Sequence, residues 1–465
     1  MPSRSSESEP TPPPAFAPVR HSGRHAQRAD TGSAWMGNVI FFTGSIFGMG
    51  LMLLIFQVWP PDEEPDIAHY REVRDLALES FVGEVDEQEL LVNALRGMMV
   101  GLDGHSRYYV EEETDRVDRD TSGHMVGIGV VTRFDKSMRI LFPVEGSPAQ
   151  EAGLRVGDEV LAVDGLSTEG LAAATVGALI KKPVGSVLTI EVRGLDGRHR
   201  THEVVCRDMI QPSVRRVSLV DSDRRIGYVA VTAFSNETAS EFDLALRELQ
   251  ALDMSGLIID LRGNQGGVLS GAVKIARRFI RTGPITSTEG RGLTRLEKAE
   301  SKQAWFEALP LVVLVDQSSA SASEILAGAL QDHRSAVLVG VPTYGKGLVQ
   351  TINRFPERHS IAKITTSYYY TPAHRNVQRE PEAEDAHGLE PDIWIPLPKE
   401  EADAIRRYVH DTFSPPKAAL QALRAWEQAE GLTLVVEPPV DRHIEAALAL
   451  FSGQLPESGQ VGRGN

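Results

Sequence analysis

The spacing of apolar residues divides this chain into regions of different predicted structure. Between residues 65 and 115, apolar side chains recur at every third or fourth position, which is the period of an amphipathic helix. They are Leu76, Leu78, Phe81, Val82, Val85, Leu90, Leu91 and Leu95. Gly101-Leu-Asp-Gly104 has the composition of a turn and ends the pattern. We therefore predict an N-terminal helical region over residues 60–122.

The period shortens between residues 123 and 208. Short runs alternate apolar and polar positions, as strands with one buried face do, and Gly and Asp turns separate them. The predicted strands are 126–132, 140–144, 159–163 and 187–192. Two short helical stretches interrupt them, at 149–152 and 171–181. The pattern predicts a small domain of strands with two helices.

Residues 209–400 show a third pattern, in which continuous apolar runs alternate with helical segments. The predicted strands are 225–231, 256–261, 311–315 and 336–341, and the predicted helices are 237–252, 269–282 and 321–332. That order is typical of an α/β core whose sheet is covered by helices. Residues 401–465 are predicted to be a helical extension that ends in a loose tail.

One stretch near the N-terminus is largely apolar. Residues 35–59 contain 25 positions and no charged side chain, which is long enough for a helix to cross a bilayer of about 30 Å. Trp35 and Trp59 bracket the stretch, as interfacial aromatic residues do. We predict a transmembrane signal anchor after a disordered cytoplasmic tail over residues 1–34. The predicted location is the inner (cytoplasmic) membrane, crossed once, with the folded domains in the periplasm.

Charge and cysteine content exclude several classes of function. The formal charge of −16 argues against a nucleic-acid partner, because a phosphate-binding surface needs clustered Lys and Arg. Cys206 is the single cysteine, so no internal disulfide forms. His202-Glu203 begins like a zinc-binding helix, but Cys206 stands where the second histidine is needed. We expect neither a metal nor another cofactor.

The strongest chemical signal is a serine and a lysine that each follow an apolar strand. Ser321 lies in Ser319-Ala-Ser-Ala-Ser-Glu324, after the strand at 311–315, and Lys346 follows the strand at 336–341. A serine hydroxyl can attack a carbonyl when a desolvated, neutral lysine accepts its proton. A Ser-His-Asp triad stays open on counting alone, since the chain has 13 histidines.

The serine segment has a second interpretation. Ser321-Ala-Ser-Glu324 fits the capping box Ser-x-x-Glu, in which both side chains satisfy amides at the start of a helix. The same helix start presents free N–H groups, so the amide of Ala322 could stabilise an oxyanion. Gly263-Asn-Gln-Gly-Gly267 is either an ordinary tight turn or the source of a second oxyanion donor, from Gly266 or Gly267.

Lys346 also has alternatives. Gly340 to Lys346 spells the Gly-x-x-x-x-Gly-Lys of a phosphate loop, but Gly347 replaces the required Ser or Thr and a strand follows instead of a helix. An exposed surface lysine is the other alternative. Flanking glycines and apolar neighbours favour an enclosed amine whose pKa falls toward the working range. Gln350 would share a face with Lys346 in an extended segment and could orient the pair.

Together these segments resemble the C-terminal processing (tail-specific) peptidases, a family of serine–lysine proteases. The resemblance covers about residues 65–395 and is carried by six segments: Ser319-Ala-Ser-Ala-Ser-Glu-Ile325, Ala329-Leu-Gln-Asp332, Gly345-Lys-Gly-Leu-Val-Gln350, Asp260-Leu-Arg-Gly-Asn-Gln-Gly-Gly267, Gly388-Leu-Glu-Pro-Asp-Ile393 and Leu102-Asp-Gly-His-Ser106. It implies a protease core over residues 209–400 that is similar to the ClpP–crotonase fold. It also implies Ser321 as nucleophile, Lys346 as base and Gln350 as orienting amide.

The family also carries a PDZ domain, and residues 123–208 resemble one. Val126-Gly-Ile-Gly-Val130 is similar to the loop that binds a terminal carboxylate, which points to Gly127, Ile128, Gly129 and Val130. The implied partners are proteins with free, apolar C-termini; an adaptor protein and a homodimer are further candidates.

The function that we predict is a membrane-anchored serine endopeptidase. Its PDZ domain would recognise substrate C-termini, and its Ser–Lys dyad would cleave periplasmic proteins through an acyl-enzyme. The alternative is a non-catalytic PDZ scaffold with a degenerate protease core.

Overall fold

The computed structural model describes residues 64–379, 388–411, 415–454 and 460–461. The predicted tail over residues 1–34 and the predicted span over residues 35–59 lie outside these ranges. The chain divides after Leu90 into two units. In the first, the structure describes helix α1 (Pro65–Ser80) and the start of helix α2 (Glu87–Val100). Both helices agree with the period of apolar residues.

The predicted location requires a correction. Among the residues that the structure describes, no helix combines the length and the apolar character needed to cross a bilayer. The prediction of a single-pass inner-membrane protein with its catalytic domain in the periplasm is therefore withdrawn, and no location is assigned. It was based entirely on segment 35–59.

The second unit begins with a small domain of antiparallel strands. It is preceded by strand β1 (Arg107–Tyr109) and helix α3 (Glu111–Ser122). Its strands are β2 (His124–Gly127), β3 (Val130–Phe134), β4 (Met138–Pro143), β5 (Glu159–Val163), β6 (Leu166–Ser167), β7 (Val187–Arg193), β8 (His199–Val205) and β9 (Arg207–Ile210). Helices α4 (Pro148–Glu151) and α5 (Ala173–Ile180) confirm the two predicted helical stretches.

This sheet has the order β3-β4-β5-β7-β8, while β2 pairs separately with β9. The predicted strand at 126–132 is in fact two strands. Gly129 has a φ of +73°, which breaks the extended backbone, and Ile128 turns into the domain core with 2% of its surface exposed. Strand β3 is thus an edge strand that follows directly on a glycine loop.

The larger domain is built on a sheet whose central strands are parallel. In chain order its elements are β10 (Val214–Asp221), β11 (Ile226–Val231), α6 (Thr238–Ala251), β12 (Gly256–Asp260), α7 (Leu269–Ala276), β13 (Pro284–Gly290), β14 (Leu293–Lys298), β15 (Leu311–Val315), α8 (Ala322–Asp332), β16 (Val337–Gly340), β17 (Leu348–Phe355), β18 (Ser360–Tyr370) and β19 (Ile393–Trp394). Strands β11, β12, β15, β16 and β19 run parallel in this order, which confirms the predicted α/β core.

Both faces of the parallel sheet are buried, which explains the continuous apolar runs in the sequence. Alternate residues of β15 enter different cores, with Val313 on the side of α6, α7 and α8 and Val312 on the other side. The second face is covered by the C-terminal helices α9 (Lys399–Arg406) and α11 (Arg442–Phe451), which contribute Ile405 and Ala447.

A second, antiparallel sheet was not predicted. It has the order β1-β18-β13-β14, and β17 also pairs with β18. Of its strands, only β17 is indicated by the sequence. The residues of β14 are almost all exposed, so they show no apolar period that could mark a strand. This sheet forms a wall beside Ser321, because Tyr369 of β18 packs into the same core as helix α8.

The remaining C-terminal helix, α10 (Lys417–Glu430), packs against the small domain. Leu423 and Trp426 form a buried cluster with Val131 of β3 and Phe142 of β4. The described part of the C-terminal region is therefore packed against both domains of the second unit.

Candidate functional site

Three loops meet at one edge of the parallel sheet, because the carboxyl ends of parallel strands lie on the same side. They are residues 261–268 after β12, residues 316–321 after β15 and residues 341–347 after β16. These loops carry the glycine-rich segment, the serine segment and Lys346. The structure thus brings together three motifs that the sequence places up to 86 positions apart (Asp260 to Lys346).

The structure distinguishes the three serines of the segment Ser319-Ala-Ser-Ala-Ser-Glu324. Ser319 and Ser323 are fully buried, and their hydroxyls donate to the carbonyls of Leu261 and Asn264, each at 2.8 Å. Ser321 is half-buried and lines a large cleft. Of these three hydroxyls, two hold the neighbouring glycine loop and the middle one faces the open space.

Ser321 has an uncommon backbone conformation. Its φ of 57° and ψ of −114° lie outside the regions that residues with a Cβ normally occupy. Such conformations cost on the order of 1–3 kcal/mol and cluster at functional sites. Ser321 is also the N-cap of α8, and one half of the predicted capping box is present, because the Ser321 N–H donates to Glu324 at 2.8 Å. The Ser321 side chain makes no capping hydrogen bond.

Glu324 connects the serine loop with the lysine loop. Its carboxylate is fully buried and accepts hydrogen bonds from the backbone N–H groups of Ser321 at 2.8 Å, Gly345 at 2.7 Å and Lys346 at 2.9 Å. The Thr343 hydroxyl donates to it at 2.6 Å. Burial raises the pKa of Glu324, while these donors act in the opposite direction. The sequence analysis assigned Glu324 no role beyond capping.

Lys346 lies in the cleft as a half-buried amine. Burial lowers its pKa from 10.5, and the charge of Lys363 lowers it further, whereas Glu324 and Asp103 partly oppose this shift. In the described residues, no carboxylate oxygen lies within 4.0 Å of the Lys346 amine, and no hydrogen bond joins that amine to the Ser321 hydroxyl. An amine without an ion-pair partner in a partly desolvated site can lose its proton more readily than a surface lysine.

The glycine loop approaches Ser321 closely. A Cβ on Gly266 would lie 2.7 Å from the Ser321 Cβ and 2.9 Å from the Ala322 nitrogen, so a side chain would not fit. The N–H of Gly266 donates to Asn264 Oδ1 at 2.9 Å. Within the described residues, the N–H groups of Gly267 and Ala322 have no acceptor. Of the two glycines considered from the sequence, Gly267 has the amide that remains available.

The position of Gln350 differs from the one expected for a regularly extended segment after Lys346. A register shift between Val349 and Gln350 interrupts the pairing of β17 with β18. The Gln350 side chain donates to the Thr365 hydroxyl at 3.3 Å and not, within the part of the chain described, to Lys346 or Ser321. It nevertheless lines the same cleft as both residues.

The cleft has a volume of about 790 Å³ and extends well beyond the three loops. Its lining includes Ser321, Ala322, Gly266, Gly267, Lys346 and Gln350. It also includes residues next to the small domain, such as Gly123 and Gln211. Its volume lies within the range of about 300–1,000 Å³ that is usual for ligand sites in proteins.

Comparison with known proteins agrees with this arrangement. The model of peptidase family S41 matches residues 225–395, and a PDZ domain model matches residues 140–194. The carboxy-terminal-processing protease of Bartonella bacilliformis is 30% identical over 78% of this chain and 83% of its own length. The carboxyl-terminal-processing protease of Synechocystis is 33% identical over 63% of this chain and 69% of its own length.

The chain belongs to the carboxyl-terminal processing proteases, peptidase family S41. It is a serine-type protease with a PDZ domain. The solved structure of the photosystem II D1 C-terminal processing protease is 27% identical and covers 70% of this chain and 86% of that one, with a TM-score of 0.41. The family is assigned from the sequence relatives and not from this structural similarity.

The PDZ domain of this protease presents the predicted carboxylate loop beside an edge strand. Gly127 ends β2, Val130 begins β3, and Ile128 is buried in the domain core. The carbonyl of Gly129 accepts from the Ser147 hydroxyl at 3.0 Å, which fixes the loop to the start of α4. Because β3 is the first strand of its sheet, its outer edge has no partner strand in the described residues.

Sequence analysis missed one support of the glycine loop of the protease, which is the contact of Arg262 with Asp441. Arg262 is buried between Asp260 at 2.6 Å and Asp441 at 2.7 Å. Burial alone would lower the pKa of Arg262, but both carboxylates outweigh it and raise the pKa well above its usual value. Asp441 is the N-cap of α11, and a lone Asp in a loose C-terminal tail gives no signal of this role.

No group of three or more His, Cys, Asp or Glu side chains in the described ranges is arranged to hold a metal ion.

We predict that Glu324→Gln destabilises the protease and reduces its activity. The amide nitrogen would face N–H donors, so at least one charge-assisted hydrogen bond is lost. We expect the free energy of unfolding to fall by about 2–4 kcal/mol in urea titrations, and peptide cleavage to fall at least about tenfold. Glu297→Gln, which removes a partly buried ion pair with Arg277 away from the cleft, is the control. Wild-type stability and activity in Glu324→Gln would contradict the role of this carboxylate.

Proposed function

We propose that this protease cleaves protein substrates with a Ser321–Lys346 dyad and selects them by their C-termini. The observation that supports the dyad most is the difference between the three serines. The hydroxyls of Ser319 and Ser323 donate hydrogen bonds to carbonyls of the glycine loop. Ser321 instead has a strained backbone and lines a cleft that is also lined by the half-buried Lys346.

In the proposed reaction, the Ser321 Oγ attacks the scissile carbonyl carbon and its proton passes to the neutral Lys346 Nζ. The carbonyl oxygen becomes an oxyanion, which the N–H groups of Ala322 and Gly267 stabilise. When the C–N bond breaks, Lys346 donates the proton to the leaving amine and the acyl group remains on Ser321. Water then attacks this acyl-enzyme, with Lys346 again accepting a proton. The bond between the acyl carbon and Ser321 Oγ breaks, Lys346 returns the proton to Ser321 Oγ, and the carboxylic acid product leaves.

Gln350 is proposed as the residue that orients Lys346 during this reaction. Both line the same cleft, and among the described residues the Gln350 amide has only one weak hydrogen bond, to Thr365 at 3.3 Å. Breaking such a bond costs little, so a rotation toward Lys346 or Ser321 is open to this side chain. Gly266 then has a supporting role, because its N–H is already bonded to Asn264.

The PDZ domain is proposed to bind the substrate C-terminus at Gly127, Ile128, Gly129 and Val130. Amides in the glycine loop would hold the terminal carboxylate, and the open edge of β3 would pair with the peptide. The domain limits that we propose are residues 60–122 for the N-terminal helices, 123–208 for the PDZ domain, 209–400 for a core of the ClpP–crotonase type and 401–465 for the C-terminal extension.

We expect Ser321→Ala and Lys346→Ala each to abolish cleavage of an unfolded substrate with an apolar tail, because each removes an atom that forms or breaks a bond. Cleavage is measured by loss of the intact substrate, and thermal unfolding of each variant checks that the core is folded. Lys302→Ala, at an exposed position, serves as control. Undiminished cleavage by Ser321→Ala or Lys346→Ala would remove the dyad, and absence of cleavage by the wild type would favour the non-catalytic scaffold.

The pH dependence should follow the neutral form of Lys346. Because burial lowers the pKa of this amine from 10.5, we expect kcat/KM to rise with pH to a plateau, with a midpoint below 10.5. Activity is lost as pH falls through that midpoint, where the amine becomes protonated. Initial rates from about pH 5 to about pH 10 measure the profile. A rate that increases toward acid pH would exclude a neutral lysine base.

Recognition of the substrate tail should depend on the glycine loop. Amidation of the C-terminus removes the carboxylate, and we expect it to lower kcat/KM about tenfold in the wild type. Gly129→Val should abolish this difference, because its Cβ would lie 2.3 Å from the Ser147 Cβ. Gly165→Val carries a similar positive φ at an open turn and is the control. Equal rates for free and amidated tails in the wild type would count against tail recognition.

A further inference from the structure

The cleft contains a second half-buried lysine that the proposed reaction does not use. Lys363 lies on β18, opposite Ile352 of β17, and its side chain lines the same cavity as Ser321 and Lys346. In the described residues, no carboxylate oxygen lies within 4.0 Å of the Lys363 amine. Burial lowers the pKa of Lys363, and the attraction of Asp120 offsets this effect only in part.

The strand register gives the position of Lys363 along the cleft. Thr365 shares its face of β18, because side chains alternate along a strand. The register shift between Thr365 and Ser367 interrupts this alternation before Tyr369, but Tyr369 lines the same cleft as Lys363. Tyr369 marks the end beside Ser321, since its hydroxyl donates to the Ser321 carbonyl at 3.4 Å. Six residues of strand separate Tyr369 from Lys363, or about 20 Å. If a peptide lies extended on this wall with its scissile bond at Ser321, one of the residues within about six positions of that bond lies beside Lys363.

The basic side chains that line the cleft favour an anion. They are Arg119, Arg215, Lys346 and Lys363. Asp120, on α3, is the acidic side chain that partly opposes this, and its attraction raises the pKa of Lys363 against the effect of burial. A basic cleft in a chain of net charge −16 is a local arrangement rather than a consequence of composition.

We propose that Lys363 is a specificity-determining residue that binds a carboxylate of the substrate, within about six residues of the scissile bond. The carboxylate belongs either to an Asp or Glu side chain or to the chain terminus of a short tail. This inference rests on the proposed function, because it needs a peptide that extends from Ser321 along the cleft. A lysine without a partner inside a binding cleft is suited to supply one ion pair that forms only with the substrate.

The first experiment measures kcat/KM for a series of amidated peptides in which Asp is moved one position at a time across six residues on each side of the scissile bond. Each is paired with the same peptide carrying Asn. A further pair compares free and amidated tails that end within this distance. In the wild type we expect a carboxylate at one position, or at the tail, to raise kcat/KM about five- to tenfold.

Variants decide whether Lys363 causes the preference. Lys363→Met should reduce the ratio of kcat/KM for the Asp peptide to kcat/KM for the Asn peptide to about one. Lys363→Glu should make the protease prefer a peptide with Lys at the same position. Lys298→Met, an exposed lysine on the same antiparallel sheet, should retain the wild-type ratio. If the free-tail preference disappears in Gly129→Val but persists in Lys363→Met, the terminal carboxylate is bound by the PDZ domain instead.

A binding measurement separates failure of this inference from failure of the proposed function. Fluorescence anisotropy with Ser321→Ala and with Ser321→Ala combined with Lys363→Met, using the same peptide pairs, needs no catalysis. Loss of the carboxylate preference in the double variant supports the Lys363 site even if the dyad is wrong. No carboxylate preference in the wild type, or an unchanged ratio in Lys363→Met, overturns it. The inference is also overturned if Lys363→Met changes kcat/KM by the same factor for Asp and Asn peptides and shifts the pH profile. Lys363 would then only adjust the pKa of Lys346.

Discussion

The buried carboxylate of Glu324 is the interaction on which the geometry of the site depends. Four donors from two separate loops converge on it, namely three backbone N–H groups and the Thr343 hydroxyl. A buried carboxylate is costly unless such donors are present, so neither loop can move away without leaving a charge unsatisfied. The serine at the start of α8 and the lysine after β16 are therefore held relative to one another through their backbones. A Cβ on Gly388 would lie 2.1 Å from Glu324 Oε1, which explains the glycine in that segment.

A second constraint comes from the sheet. Because both faces of the parallel strands are apolar, the fold needs helices on each side, and α9 and α11 of the C-terminal region cover the second face. That region also contains Asp441, which forms an ion pair with Arg262 in the loop after β12. The precision of the glycine loop thus depends on a residue 179 positions further along the chain. His410 adds to this support, since its Nε2 contacts the Arg262 carbonyl at 2.7 Å. The same C-terminal region contacts the PDZ domain through Trp426.

The electrostatics of the cleft follow from these contacts. The donors on Glu324 are backbone amides and a hydroxyl, so its charge is satisfied without an ion pair to Lys346. Lys346 consequently has no ion-pair partner in the part of the chain that the structure describes, and burial lowers the pKa of this amine. Had Glu324 paired with Lys346 directly, the ion pair would have favoured the protonated amine, which cannot accept a proton from serine. The Glu324 carboxylate therefore binds the backbone N–H of Lys346 and not the side-chain amine that is proposed as the base.

The sequence by itself determined those features that depend on local pattern. Strands buried on both faces appear as continuous apolar runs, so β11, β12, β15 and β16 could be located, and the motifs around Ser321 and Lys346 follow those strands directly. Of the antiparallel sheet only β17 was indicated, and β14 could not be located because its residues are almost all exposed and have no clear period. Only the tertiary structure decided which side chains meet. The shift between Val349 and Gln350 changed the neighbours of Gln350, and the partners of Glu324 and Arg262 come from distant segments. The physical reason is that a hydrogen bond or an ion pair depends on distance in space, whereas a sequence pattern records only the preference of each segment for its own surroundings.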